Sequence, residues 1–267
     1  MLKLGSTVVL VAALAALVGP AAASSDPAAQ QLALRLVGPT WAHPFGLDEL
    51  GRDILARVLA GARISLLVGV TVVSVSAAVG TVLGAVAGYF GGLADDIISR
   101  IVDVLLAFPG LLLAIALVAV LGPSLGNVLV ALTIIGWVSY ARLVRSQALR
   151  ARELDYVQAA RALGGGAVRI LGRHVIPAAA PAVIVQATLG MAGAIIGEAA
   201  LSFLGLGVQP PTPSWGTMLS GRRAHILDAP HLTLFPGFAI VLLVLGFNLL
   251  GDGLRDRLDP KRRVVQV

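Results

Sequence analysis

Cysteine is absent from the 267 residues, which removes disulfides, thiolate metal sites and thiol nucleophiles together. Lysine is nearly absent. Lys3 and Lys261 are the only two, and neither sits in the glycine-rich context of a phosphate-binding P-loop. Charge is scarce, at 13% of residues, about half of what a soluble domain carries to wet its surface. The four histidines (His43, His174, His225 and His231) are scattered and form no HExxH pair. No paired acids, metal cluster or Ser/His pair at one depth suggests an intramembrane enzyme; Glu198 and Asp103 stand alone. A stand-alone secondary transporter would need intramembrane ion or proton carriers, often in internal repeats, and the chain displays neither.

What the chain does have is apolar sequence: 57% of it is hydrophobic. At about 20 residues per span, it holds five or six transmembrane helices plus connections. The expectation is therefore an all-α polytopic membrane protein with six spans, at 4–23, 64–89, 102–121, 128–143, 178–206 and 232–250. The third is interrupted at Phe108-Pro109, where proline frees a carbonyl and kinks the helix. For the first, a cleaved signal peptide is the alternative, with Ala21-Ala22-Ala23 before Ser24 as the cleavage site. The length of the apolar run favours an uncleaved helix.

Orientation follows from arginine. The segment 142–173 holds seven (Arg142, Arg145, Arg150, Arg152, Arg161, Arg169, Arg173), and the tail holds five basic residues (Arg255, Arg257, Lys261, Arg262, Arg263). Six spans put both segments on the side of the N-terminus, and the positive-inside rule makes that side cytoplasmic. The net charge of +6 is accounted for by topology, which argues against a nucleic-acid partner. The first outer loop runs against the trend with Arg35, Arg52, Arg57 and Arg63, among Asp26, Asp48, Glu49 and Asp53.

Within the second span Ser76, Gly80, Gly84 and Gly88 fall four apart on one face, a spacing that lets two helix backbones approach closely. Glu198 lies within the fifth span. A carboxyl at that depth faces protein or water, either as a pathway or gate residue or as an interhelical hydrogen-bonding group beside Gly193 and Gly197. Asp103 is read as an interfacial charge near Arg100, and Trp215 as an outer-face lid or interfacial anchor.

The remaining polar stretch, 155–177, reads DYVQAARALGGGAVRILGRHVIP. It is expected as two short helices broken at Gly164-Gly165-Gly166, since three glycines do not continue a helix cheaply. Tyr156, Ala159, Ala160 and Leu163 share one side of the first helix and suit a groove on a partner. Val168, Ile170, Leu171 and Val175 pack the second helix back on the bundle. Pro177 fits the first turn of the next span.

This stretch resembles the EAA signature of ABC importer permeases. Gln158-Ala159-Ala160 stands at the EAA position, Gly164 at the fixed glycine, and Ile176-Pro177 at the end. The departure is Gln158, where the family has Glu. Further segments resemble the peptide-type permeases of that family: His43-Pro44-Phe45-Gly46, Gly51-Arg52-Asp53, Gly61-Ala62-Arg63-Ile64-Ser65-Leu66, residues 201–216, Gly251-Asp252-Gly253-Leu254-Arg255-Asp256, and Leu258-Asp259-Pro260. They cover nearly the whole chain in order, and the chain is similar to the C-type permease of the dipeptide/oligopeptide/nickel importers. The resemblance implies a type I ABC importer permease fold with a cytoplasmic coupling helix built from Tyr156, Gln158, Ala159, Ala160, Arg161, Leu163 and Gly164. It implies an N-terminal helix and external segment over 1–62, a permease domain over 63–253 and a basic cytoplasmic tail over 254–267. It also implies a heterodimer with a second permease, two ATPase subunits carrying ATP and Mg, and an external solute-binding protein. This chain itself would bind no cofactor and catalyse no reaction. Dipeptides, oligopeptides, glutathione-like solutes and nickel complexes are the implied cargoes, taken across a bacterial or archaeal cytoplasmic membrane.

Overall fold

The computed structural model describes residues 1–22 and 25–258, and these form helices and turns without a β-strand. In chain order the helices are α1 (Leu2–Ala22), α2 (Ile54–Phe90), α3 (Gly92–Leu106), α4 (Gly110–Leu121), α5 (Leu125–Ala151), α6 (Asp155–Ala162), α7 (Ala167–Ile170), α8 (Ile176–Phe203), α9 (Trp215–Leu219) and α10 (His231–Leu258). Helices α1, α2, α5, α8 and α10 are each long and apolar enough to cross a membrane. The cleavage site expected at Ala23/Ser24, and the tail residues Lys261, Arg262 and Arg263, lie outside the described residues.

Helices α5 and α10 run past the expected ends of their spans, to Ala151 and Leu258, and two other spans differ in kind. Helix α2 starts at Ile54 rather than at 64, inside the expected external segment. Asp53 caps it, accepting the Ala56 amide at 3.0 Å. Arg57 and Arg63 look like end-of-span charges but both are accommodated. Arg57 is buried beside Asp48, and Arg63 donates to the Ala16 and Leu17 carbonyls of α1 at 2.6 and 2.9 Å. The second difference is the third span. A kinked helix over 102–121 was expected, whereas α3 and α4 meet at 87° across Ala107–Pro109. Pro109 has no N–H and keeps Phe108 out of the helical region, so the chain turns there and restarts. Asp95, Arg100 and Asp103 lower the hydropathy of α3, which hides its start at Gly92.

Close contacts fix the directions. Added Cβ atoms at Gly80, Gly84 and Gly88 would strike Tyr140, Ala141 and Ala148 in rising order, so α2 and α5 are parallel. Gly69 meets Met191 and Ile195, while Gly190 meets Val73, so α8 is antiparallel to α2. Gly5 abuts Leu250 and Gly253 abuts Leu2, so α1 and α10 are antiparallel. The first residues of α1 and the last of α10 thus share one end of the bundle, together with α6 and α7. The bent pair connects the two ends. Asp95 of α3 pairs with Arg145 near α6, and Asn127 at the other end closes the α4–α5 turn on the Leu121 and Gly122 carbonyls at 2.9 and 2.8 Å. Counted with that pair, the bundle has six passages.

Candidate functional site

Helix α6 and α7 form a small lobe with its own core of Val157, Ile170 and Val175, packed on Tyr89, Ala148 and Ala151 at the ends of α2 and α5. Gly164 closes α6. It has φ +81, and its amide donates to the Arg161 carbonyl at 3.0 Å while the Gly165 amide donates to the Ala160 carbonyl at 3.0 Å. This pair of reversed bonds satisfies the last carbonyls of α6. An added Cβ at Gly164 would meet nothing within 4 Å, so what restricts the position is its dihedral angle and not crowding.

The face of α6 differs in part from the spacing argument. Tyr156, Gln158, Ala159, Arg161 and Leu163 are exposed, but Ala160 is half-buried and packs with Val157 on the lobe's core. Val157, absent from the expected face, is the residue that anchors the helix. Val168, expected to pack inward, is instead 84% exposed, close to Leu163 at 89%. Arg161 stacks over the Tyr89 ring at 5.3 Å, and the Tyr156 and His174 rings lie 5.8 Å apart. Gln158 donates its amide to the Glu153 carbonyl at 3.2 Å, a bond that an ionised Glu could not make.

No loop separates the lobe from α8. Leu171–Val175 form a single π turn in which the Ile176 amide donates to the Leu171 carbonyl, and the helix then continues through Pro177. Proline cannot bond the carbonyl four residues back and its ring crowds it, so the widened turn absorbs both defects.

Ser76, Gly80, Gly84 and Gly88 are all buried and face α5. A Cβ at Gly80 would lie 2.5 Å from Tyr140 Cβ, and one at Gly88 would lie 2.6 Å from the Arg145 carbonyl oxygen. These helix backbones are as close as glycine permits.

Next to this seam lies a cavity of about 330 Å³ between α2, α4, α5 and α8. Leu132, Ile135 and Ile196 supply apolar wall, and Ser76, Tyr140 and Gln186 supply polar groups. The Ser76 hydroxyl is buried without a hydrogen-bond partner among the described residues. Gln186 is shared with a larger recess of about 730 Å³ at the lobe end, which Gln147, Arg150 and Arg255 also line. Glu198 is not part of either wall. It is fully buried on another side of α8, where the Ser202 hydroxyl donates to its Oε1 at 2.6 Å. Ser202 in turn accepts the Val208 amide at 3.2 Å, tying the loop after α8 to the helix.

The end away from the lobe is held by buried ionic and polar contacts. Asp48 Oδ2 lies 2.7 Å from Arg52, 3.7 Å from Arg57 and 3.5 Å from Arg222. Burial alone would raise the Asp48 carboxyl, but the Arg52 and Leu50 amides and the Arg52 guanidinium outweigh it and hold the carboxyl below its usual range. His43 Nδ1 stands 2.8 Å from Asp53 Oδ2. Trp215 is 3% exposed and donates its indole N–H to the Val58 carbonyl at 2.9 Å. It is a core residue, not the interfacial anchor its type suggests. Trp41, by contrast, is fully exposed and was not singled out by any sequence signal. Arg145 grips Asp95 with two bonds, while no bond joins Asp103 to Arg100 among the described contacts.

Known proteins resemble this chain at three levels. The dipeptide transport system permease protein DppC of Alkalihalophilus pseudofirmus is 51% identical over 94% of this chain and 82% of its own length. Glutathione transport system permease proteins GsiD of Pectobacterium atrosepticum and Escherichia coli O6:K15:H31 are 51% and 53% identical, each over 84% of this chain and 74% of their own length. Two crystal forms of the MetNI methionine ABC transporter in inward facing conformations superpose with TM-scores of 0.59 and 0.58, at 18% and 17% identity. They cover 76% and 77% of this chain and 96% of their own, which establishes a common fold. Residues 80–264 match the family of binding-protein-dependent transport system inner membrane components, and the chain belongs to that family.

Proposed function

We propose that the chain is a permease subunit of an ATP-driven importer that passes di- or oligopeptides across the cytoplasmic membrane by alternating access. The observation that carries this reading is the lobe of α6 and α7. Its two most exposed apolar residues, Leu163 at 89% and Val168 at 84%, stand at one end of a membrane bundle, beyond the spans. Apolar groups presented in that way suit a groove on a water-soluble partner. The partner in this reading is a separate ATPase, with Tyr156, Gln158, Ala159, Arg161, Leu163 and Gly164 forming the docking helix and Ala160 packing it to the bundle. A second permease completes the solute path, two ATPases bind ATP and Mg, and an external binding protein delivers solute. The lobe end is cytoplasmic, together with residue 1 and the end of α10, in keeping with the arginines of 142–173. Ser76, Gly80, Gly84 and Gly88 hold α2 on α5 while the bundle rocks. Glu198, away from both cavities, serves as an internal hydrogen-bonding group and not as a gate.

Peptides are favoured by the DppC relative. The GsiD relatives support glutathione, a modified tripeptide, on the same machinery. Cysteine placed at Leu163 in the assembled complex should cross-link to an ATPase subunit, and cysteine at the half-buried Ala160 should do so less. A cysteine at 163 that reacts freely with water-soluble thiol reagents in an active complex, and never cross-links, would exclude the docking reading.

A further inference from the structure

We infer that the cavity between α2, α4, α5 and α8 is a solute subsite that receives one uncharged side chain of the transported peptide, up to aromatic size. The inference rests on the importer reading above and names a part of the solute path. The cavity, at about 330 Å³, lies at the lower end of the range for ligand pockets. No charged residue lines it. Leu111, Leu132, Ile135 and Ile196 give it an apolar wall, which suits a hydrocarbon or aromatic group and penalises a charged one.

Small residues in the wall keep the space open. Ser76 is 1% exposed, lines the cavity, and its hydroxyl has no partner among the described residues. Gly136 packs against it: a Cβ there would lie 2.5 Å from Ser76 Oγ, so only glycine fits at this contact. Gly193, also in the wall, has nothing within 4 Å of an added Cβ, so the space there is open.

The surroundings sort the parts of a peptide. Gln186 is common to the cavity and to the recess lined by Gln147, Arg150 and Arg255. An uncharged side chain seated in the cavity leaves the ionised ends of the peptide next to that polar, guanidinium-bearing space, where a carboxylate is matched.

The test uses the complete complex, with its partner subunits, in proteoliposomes supplied with ATP. Uptake of Ala-Ala and Ala-Phe is compared. Gly193→Leu fills the cavity from an open position, so Ala-Phe uptake should fall about tenfold or more relative to Ala-Ala, as expected when a pocket rejects bulk. An unchanged ratio in an assembled Gly193→Leu complex overturns the subsite. Should that variant not assemble, Gly193→Cys decides. Ala-Phe at about twice its apparent affinity should slow labelling by a water-soluble thiol reagent about threefold, the free fraction left by mass action. Labelling that Ala-Phe does not slow, or that only a membrane-soluble reagent achieves, places lipid in the cavity and overturns the inference. A wild-type complex that takes up neither peptide under ATP sinks the dipeptide cargo on which the subsite rests. Normal wild-type uptake with unaltered selectivity in the variant sinks the subsite alone.

Discussion

Residues 43–57 and residues 152–175 are both punctuated by arginine, yet one segment buries its guanidiniums and the other leaves them in water. Arg57 and Arg222 are 5% and 7% exposed around Asp48, whereas Arg161, Arg169 and Arg173 are exposed on the lobe. The apolar residues run the opposite way. Leu47 and Ile54 are each 1% exposed, while Leu163 and Val168 stand almost free. Around Asp48 the charges are paired and the adjoining hydrocarbon is covered, although Trp41 and Leu227 at the same end are exposed. In the proposed reading the lobe keeps its charges solvated and its hydrocarbon uncovered until an ATPase covers them, because desolvating either earlier gains nothing.

The contrast can be broken from the buried side first. Asp48→Ala leaves three guanidiniums around an empty centre, and loss of one partner from a buried ion cluster costs about 3–5 kcal/mol. The detergent-solubilised variant should melt far below the wild type. The same residue sets a pH limit. A folded-state carboxyl held below its usual range contributes stability that is complete above about pH 4 and disappears as pH falls through the lower folded value. Melting of wild type and Asp48→Asn should therefore differ most at neutral pH and converge in acid.

Gly84→Leu attacks the seam that joins the two ends. Its side chain would land on the Ala141 carbonyl, and overpacking of this kind costs about 1–3 kcal/mol or more. The yield of assembled complex should fall; normal assembly would show that α2 and α5 can separate without harm. Gly164→Val is smaller and local. A β-branched residue in the left-handed region costs about 1–2 kcal/mol, confined to the end of α6. The bundle should melt as before, while ATPase binding or coupling of hydrolysis to uptake is lost. Leu163→Ser is the smallest in stability, within about 0.5 kcal/mol for an exposed position. It should nevertheless weaken ATPase co-purification. A Leu163→Ser complex that retains its ATPase would show that the exposed face has no partner there.

Much of this arrangement was legible in the sequence, and the misses share a cause. Six passages and a glycine-broken lobe follow from hydropathy and composition, which are local properties. The early start of α2 does not, because Arg57 is accommodated by Asp48 and by the carbonyl of Pro27, which is 30 residues away. Trp215 was misplaced for the same reason: its indole partner, Val58, is 157 residues away. On α6 the error was one of phase. Ala159 and Ala160 are adjacent, so their wheel positions differ by about 100°. Only the packing of Val157 decides which of the two turns inward. The bend between α3 and α4 is marked by Pro109, but proline announces a break without its angle, which is set by where α3 finds Arg145 and where Gly110 finds Ile135.

The π turn before Pro177 has a mechanical consequence. With no loop between α7 and α8, residues 167–203 act as one lever across the bundle. It crosses α2 and α5 closely at Gly190, where a Cβ would meet the Tyr140 hydroxyl and Val73, and a fulcrum there divides the lever. At 1.5 Å per residue the arms are about 35 Å on the lobe side and about 20 Å on the other. A tilt of about 5° then swings the two tips by about 3 Å and 2 Å in opposite senses. Spin-label distances from Val168 and Leu204 to a marker on α2 should change with opposite sign when nucleotide binds. The far tip carries Ser202, and through its hydroxyl the amide of Val208, so the loop that follows α8 is dragged by whatever grips the lobe.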